Sequence, residues 1–103
     1  MSFSFRRDRF GDLIRRQLDL FVEDEQELLR EAEAAEKAYD AADREDAEEA
    51  YGDLQLVFET IAGRLEELCD RYSSTLGSDA DVAYAQAFVR AARKRFPKLR
   101  LEF

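Results

Sequence analysis

Histidine and tryptophan are absent from this chain of 103 residues, and cysteine occurs only once. Because there is no histidine, the chain can form neither a Ser/His/Asp nor a Cys/His nucleophilic site. Ordinary zinc sites, which need several histidines or cysteines, are excluded on the same ground. The single Cys69 excludes an intrachain disulfide and is typical of a reducing compartment, so we expect a cytoplasmic protein.

Long apolar segments are also missing, because each apolar run extends over only a few residues. A transmembrane helix needs about 20 consecutive apolar residues, so the sequence predicts none. The first ten residues carry charge without an apolar stretch behind them, unlike a secretory signal. With 46% apolar residues the chain can still bury a modest core, and we expect a single helical domain over residues 1–103.

Charge is distributed unevenly along the chain, whose net charge is −8. Residues 17–53 contain fifteen acidic and three basic residues, whereas residues 90–103 contain six basic residues and one acidic residue. The basic ends can contact phosphates, but the acidic chain as a whole opposes nonspecific binding to nucleic acid. We therefore expect a protein partner, or a second copy of the chain, rather than nucleic acid or a membrane.

Apolar residues recur at helical spacing over most of the sequence. Ile14, Phe21 and Leu28 are seven residues apart, and the next segment carries a similar row made of Ala47, Leu54, Ile61 and Leu68. The pattern predicts an all-α, coiled-coil-like fold with helices at about residues 8–40, 43–75 and 79–96. A short extended tail at residues 97–103 follows, and its apolar residues are expected to cover a hydrophobic groove: Leu99, Leu101 and Phe103.

Single residues predict where these helices begin and end. Asp43 is a plausible N-cap for the second helix, and Gly77 is expected to end it in a left-handed conformation. Pro97 ends the third helix. The buried face of the third helix is predicted to carry Val82, Ala85, Val89, Ala92 and Phe96, and the core to bring together Phe21, Leu65, Leu68, Val89 and Phe96.

The first two predicted helices are long and almost directly connected, so they are expected to form an antiparallel hairpin. With the turn near Ala42, Phe21 should lie near Gly63, and Ile14 near Asp70. The third helix is about half as long and should pack beside the later half of the second. The sequence thus predicts a three-helix head with a protruding two-helix arm.

The arm is expected to be an interface, because the residues that face each other near its turn are mostly alanines, which bury little area. Larger apolar residues lie beside them, and a two-helix arm cannot cover all of these. We therefore predict a non-enzymatic interaction or assembly module that self-associates, as a homodimer, through this Ala-rich acidic arm. The predicted interface residues are Tyr39, Ala50, Tyr51, Leu54, Val57 and Phe58.

Four carboxylates of the acidic segment support an alternative function. Glu33 and Glu36 share a helix face, as do Glu49 and Asp53, and the hairpin brings the two pairs opposite each other. Oxygen ligands of this kind suit Mg²⁺, so the metal ligands under this alternative are Glu33, Glu36, Glu49 and Asp53.

The same segment resembles the MazG-type all-α nucleoside triphosphate pyrophosphohydrolases, which carry E-E-x-x-E on one helix and E-x-x-D on the next. Glu33, Glu36, Gly52 and Asp53 match that pattern, which with the later "ARKRFP" covers about half of the chain. The resemblance implies Mg²⁺-dependent nucleotide hydrolysis at a degenerate site. Ala32 and Ala50 stand where the pattern has glutamates. Because a lost carboxylate weakens a Mg²⁺ site, we favour the non-enzymatic interpretation, with no catalytic residues and no cofactor.

Overall fold

The computed structural model describes residues 9–101 and places four α-helices in that range. They are α1 (Gly11–Asp24), α2 (Gln26–Ala41), α3 (Ala47–Ser73) and α4 (Ser78–Arg95). The described residues include no β-strand, so the predicted all-α class is confirmed. The most extensive helix contact joins α2 to α3, while α4 contacts α3 and α1. Within the same range, no helix is both long and apolar enough to cross a membrane.

The first predicted helix is interrupted once, at Glu25, between α1 and α2. The backbone of Glu25 leaves helical geometry, with φ −108° and ψ 30°. Two helical hydrogen bonds nevertheless persist, from Glu25 N–H to the Phe21 carbonyl and from Leu29 N–H to the Glu25 carbonyl, each at 2.9 Å. Glu25 also interrupts an apolar row of the sequence, and its carboxylate forms an ion pair with Arg64 on α3. The break between α1 and α2 therefore occurs at a charged residue, Glu25, whose side chain pairs with Arg64 on α3.

The pairing between α2 and α3 differs from the predicted register. Tyr39 contacts Tyr51, and Glu25 pairs with Arg64, so residue numbers fall along α3 as they rise along α2. A turn at Ala42 would instead have placed Tyr39 opposite Glu45. The cause is a loop at residues 42–46, which separates the helices and displaces the pairing by roughly one and a half helical turns.

Asp43 lies within this loop and is not adjacent to the helix that follows it. Its Oδ1 accepts a hydrogen bond from the Asp46 N–H at 3.1 Å, which is the bond expected of an N-cap. The turn formed in this way precedes the helix, and α3 begins at Ala47 with Asp46 as its cap residue. The predicted interaction is therefore present, and the helix starts four residues later.

The prediction that Gly77 ends the second helix in a left-handed conformation is wrong. Gly77 is extended, with φ −72° and ψ 166°, and lies immediately before α4. Helix α3 ends earlier, where side-chain hydroxyls bond to its last carbonyls: Ser73 to Asp70, Ser74 to Arg71 and Thr75 to Tyr72. These hydroxyls add to the backbone bonds at the helix end, where the Ser74 and Thr75 N–H groups donate to the Asp70 and Tyr72 carbonyls, so no left-handed residue is needed there.

The predicted buried face of the last helix is confirmed for Ala92, and Ala85 and Phe96 pack against the core as partly buried residues, but the prediction is wrong for Val82 and Val89. Helix α4 buries Tyr84, Phe88 and Ala92, each fully, while Val82 is 56% exposed and Val89 is half-buried. The reason is size and polarity. Two aromatic rings bury far more apolar area than two valines, and the Tyr84 hydroxyl can be buried because it donates a hydrogen bond to Gln17 Oε1 at 2.6 Å.

Tyr84 is the centre of the core. Its ring lies 5.5 Å from Phe10, 4.8 Å from Tyr72 and 5.9 Å from Phe88, measured between ring centroids. A separate aromatic contact joins Phe21 of α1 to Phe96, the residue after α4, edge to face with ring centroids 6.0 Å apart. The predicted core grouping is confirmed for Phe21, Leu65, Leu68 and Phe96, which belong to this core or pack against it, and is wrong for Val89, which does neither.

Truncating Leu65 should destabilise the fold strongly, because its side chain is fully buried. We expect Leu65→Ala to lower the free energy of unfolding by ~2–5 kcal/mol through lost burial and a residual cavity. Leu56→Ala is the matched control on the same helix, since Leu56 is 65% exposed, and should change it by less than about 0.5 kcal/mol. Urea denaturation followed by circular dichroism measures both. Equal effects of the two changes would contradict the described core.

Candidate functional site

The four carboxylates of the alternative site lie on α2 and α3, and three of them are exposed: Glu33, Glu49 and Asp53. Glu36 is half-buried, and its Oε2 accepts a hydrogen bond from Lys98 Nζ at 2.6 Å. In residues 9–101, no group of three or more acidic or cysteine side chains lies close enough together to hold a metal ion. Glu36, one of the carboxylates that matched the pyrophosphohydrolase pattern, is thus paired with the ammonium group of Lys98.

The six predicted interface residues divide into two sets. Tyr39 and Tyr51 are exposed, by 40% and 48%, and their rings contact each other with centroids 5.7 Å apart. The remaining four are partly or fully buried within the chain: Ala50, Leu54, Val57 and Phe58. Val57 and Phe58 pack against the core of the same molecule. The exposed part of the predicted surface is thus the tyrosine pair, whose two members lie on either side of the loop at residues 42–46.

A groove runs along α3 next to this tyrosine pair. Its volume is about 580 Å³, and we call it the arm groove. Tyr51, Leu54, Phe58 and Ala62 supply its apolar lining. Its charged lining has two signs, with Glu59 and Glu66 contributed by α3 and Lys98 and Arg100 contributed by the tail. Three of the six predicted interface residues, namely Tyr51, Leu54 and Phe58, therefore line one groove.

The tail reaches the arm groove because the chain turns sharply after α4. Pro97 stands one residue after the Phe96 cap, and the Leu99 N–H bonds to the Phe96 carbonyl at 3.1 Å. Leu101 is then 4% exposed, and its carbonyl accepts a hydrogen bond from Arg93 Nη2 at 3.0 Å. Leu99 and Leu101 pack against the core, as a covering role requires, but residues 97–99 form a turn and a bend instead of the predicted extended segment, and Phe103 lies outside the described residues.

Lys98 is the charged residue that joins the tail to the arm. The hydrogen bond that Lys98 donates to Glu36, and then the negative charge of Glu36, raise the pKa of the Lys98 ammonium group above its ordinary value. Lys98 therefore keeps its charge to a higher pH than an isolated lysine. The sequence signal for this pairing was weak, because Lys98 and Glu36 are separated by 62 positions and only the folded tail brings them together.

Cys69 is the single thiol of the chain and is buried, with 2% of its surface exposed. Burial, and to a smaller extent the negative charges of Asp70 and Glu66, raise the pKa of this thiol to about 11. A thiolate, not a thiol, is the nucleophile in cysteine chemistry. The environment of Cys69 therefore suits a packing role and opposes a reactive one.

Comparison of the chain with protein-family models, with curated proteins and with solved structures found no match.

Metal binding can be tested directly. Because Glu36 is already paired with Lys98 and the other three carboxylates are exposed, we expect no micromolar, stoichiometric binding of Mg²⁺ or Mn²⁺ in isothermal calorimetry. Asp53→Ala should give the same heats as the wild type. Binding that disappears in Asp53→Ala, or release of pyrophosphate from nucleoside triphosphates by the purified wild type, would favour the pyrophosphohydrolase alternative instead.

Cys69 should react slowly with a thiol reagent in the native protein. A pKa of about 11, against an ordinary value of 9.0, leaves about a hundredfold less thiolate at pH 8, and burial hinders access as well. Absorbance at pH 8 with an aromatic disulfide reagent measures the rate. Addition of urea is the control, since unfolding should restore rapid labelling of one thiol per chain. Rapid labelling without urea would show that Cys69 is accessible.

Proposed function

We propose that the chain is a non-enzymatic helical interaction module that self-associates through its arm. In this arrangement α2 and the first half of α3 form the antiparallel arm. The head consists of α1, α4 and the second half of α3. The observation that carries the proposal is the arm groove, which is open, partly apolar and bordered by exposed Tyr51.

The composition of the groove suits a second copy of the same arm. Its apolar floor can lie against the same floor of a second copy, and its walls carry both signs of charge, with Glu59 and Glu66 on α3 and Lys98 and Arg100 on the tail. A surface of mixed charge can pair with its own copy in an isologous dimer, where each acidic wall meets a basic one. Tyrosine is enriched in interfaces because its large ring loses little conformational entropy.

The antiparallel orientation is supported by the charge along the molecule. The described residues extend over 55 × 27 × 22 Å, so the two ends are well separated. Residues 17–53 are strongly acidic and residues 90–103 are basic. Two parallel copies would place acidic arms side by side, whereas antiparallel copies place each acidic arm beside the basic part of the other head. A cytoplasmic location agrees with the single cysteine.

Dimerisation should depend on the arm groove. We expect light scattering coupled to size-exclusion chromatography to give the mass of a dimer at micromolar concentration. Tyr51→Glu should shift the mass towards the monomer, because it removes an aromatic contact and places a charge where the interface excludes water. Leu56→Glu is the matched control, since Leu56 is exposed on α3 but does not line the groove.

Two results would contradict this proposal. A wild-type mass of one chain throughout the micromolar range would rule out self-association and favour a different protein as partner. Dissociation by Leu56→Glu, with no effect of Tyr51→Glu, would place the interface on the opposite face of α3. Val57→Glu is a poorer test, because Val57 packs against the core and its substitution would also destabilise the fold.

A further inference from the structure

A second groove lies between α3 and α4, and we call it the head groove. Its volume is about 470 Å³, and its lining is mostly apolar, with Val82, Ala85 and Val89 from α4 and Cys69 from α3. Val82 is 56% exposed, although the helix on which it lies buries Tyr84 on its inner face. An exposed apolar face of this kind on a charged protein marks an interaction site.

The charges at the head groove come mainly from arginine. Arg90 and Arg93 line it, and Asp70 lies on the α3 side. Arg93 donates a hydrogen bond to the Leu101 carbonyl, so part of its guanidinium is occupied within the chain. Arg90 is exposed and forms no ion pair with any residue in the range 9–101. A partner that fits this groove therefore combines apolar side chains with negative charge.

The end of the arm has that chemistry. Residues 39–51, which we call the arm tip, contain six acidic residues and one basic residue. Within the same segment, Tyr39 and Tyr51 are exposed by 40% and 48% and contact each other. The tip thus presents an exposed aromatic pair surrounded by carboxylates, which complements the valines and arginines of the head groove.

We propose that the head groove binds the arm tip of a second copy of this chain. This inference rests on the self-association proposed above and specifies a second contact in the same dimer. Antiparallel arms that lie side by side bring each tip next to the other head, so one two-fold axis generates two identical tip-to-head contacts. The tyrosine pair lies against Val82 and Val89, and acidic residues of the tip face Arg90.

Charge reversal on both partners tests the contact. In Arg90→Glu, each acidic tip meets a negative head, so the dissociation constant should rise at least about tenfold at low salt. The double variant Asp40→Lys, Glu45→Lys should have a similar effect, because each tip now repels Arg90. Asp40 is in the last turn of α2, where a positive charge suits the helix dipole, and circular dichroism checks the fold because the Asp40 carboxylate also acts on Lys98 of the tail. Arg16→Glu, on α1, is the control that matches the net-charge change of Arg90→Glu.

Mixing the two variants distinguishes the proposed contact from a general charge effect. In a mixed dimer, the acidic tip of the Arg90→Glu chain meets an unchanged Arg90. The lysine-bearing tip of the other chain meets the carboxylate that the Arg90→Glu substitution introduces, so both contacts are attractive. Sedimentation velocity should therefore show dimer recovery in the mixture to within about threefold of the wild type.

The outcomes separate this inference from the function on which it rests. A monomeric wild type overturns both. A dimer that Tyr51→Glu dissociates, but that neither charge-reversal variant weakens more than Arg16→Glu, overturns the tip-to-head contact alone. Weakening by both variants without recovery in the mixture also overturns it, because the two charges would then act at separate places.

Discussion

The burial of Tyr84 holds the head together. Its ring contacts residues that come from before α1, from α3 and from α4 itself, and its hydroxyl reaches Gln17 on α1. A phenol buried without a partner would cost free energy, and this single hydrogen bond removes that cost. The orientation of α4 is therefore set by an aromatic side chain that must satisfy both packing and polarity. Once α4 is fixed, Pro97 directs the tail towards the arm.

Ion pairs outside the core also join the helices and the tail. Within residues 9–101, three ion pairs join separate elements: Arg64 with Glu25, Arg95 with Asp19, and Lys98 with Glu36. Exposed ion pairs contribute about 0–1 kcal/mol each to the free energy of unfolding, so they add little to the stability of the fold. Two of them pair Arg95 and Lys98 with acidic residues of α1 and α2, and the third joins Arg64 of α3 to Glu25 between those helices. The acidic excess that remains unpaired is concentrated towards the end of the arm.

Periodicity predicted the helices well and their relative placement less well. The rows through Leu54 and Ile61 were recognisable because α3 is long and its buried residues are large and regularly spaced. For α4, two regular patterns compete, one through Val82 and Val89 and the other through Tyr84 and Phe88. Spacing cannot choose between them, because the choice depends on the Gln17 partner, 67 positions away.

Helical spacing also could not predict two features of the site: the geometry of the loop between α2 and α3, and the contacts between residues far apart in the sequence. The register between α2 and α3 depends on how the five residues 42–46 turn, which a helical period does not encode. The residues of the arm groove were partly predicted from α3 alone, through Tyr51, Leu54 and Phe58. The contribution of Lys98 and Arg100 could not be, because it arises only when the folded tail lies over the arm.

The interruption at Glu25 gives the molecule a contact that depends on salt. The helical hydrogen bonds on either side of Glu25 persist, so α1 and α2 form one rod that is interrupted at a single residue. Arg64 holds the rod at that point, and both side chains of this ion pair are partly accessible to solvent. Ionic strength weakens such a contact, since counterions screen it. Salt therefore loosens the ion pair that ties this interruption to α3, so in the self-association proposed above it would act within each copy as well as between copies.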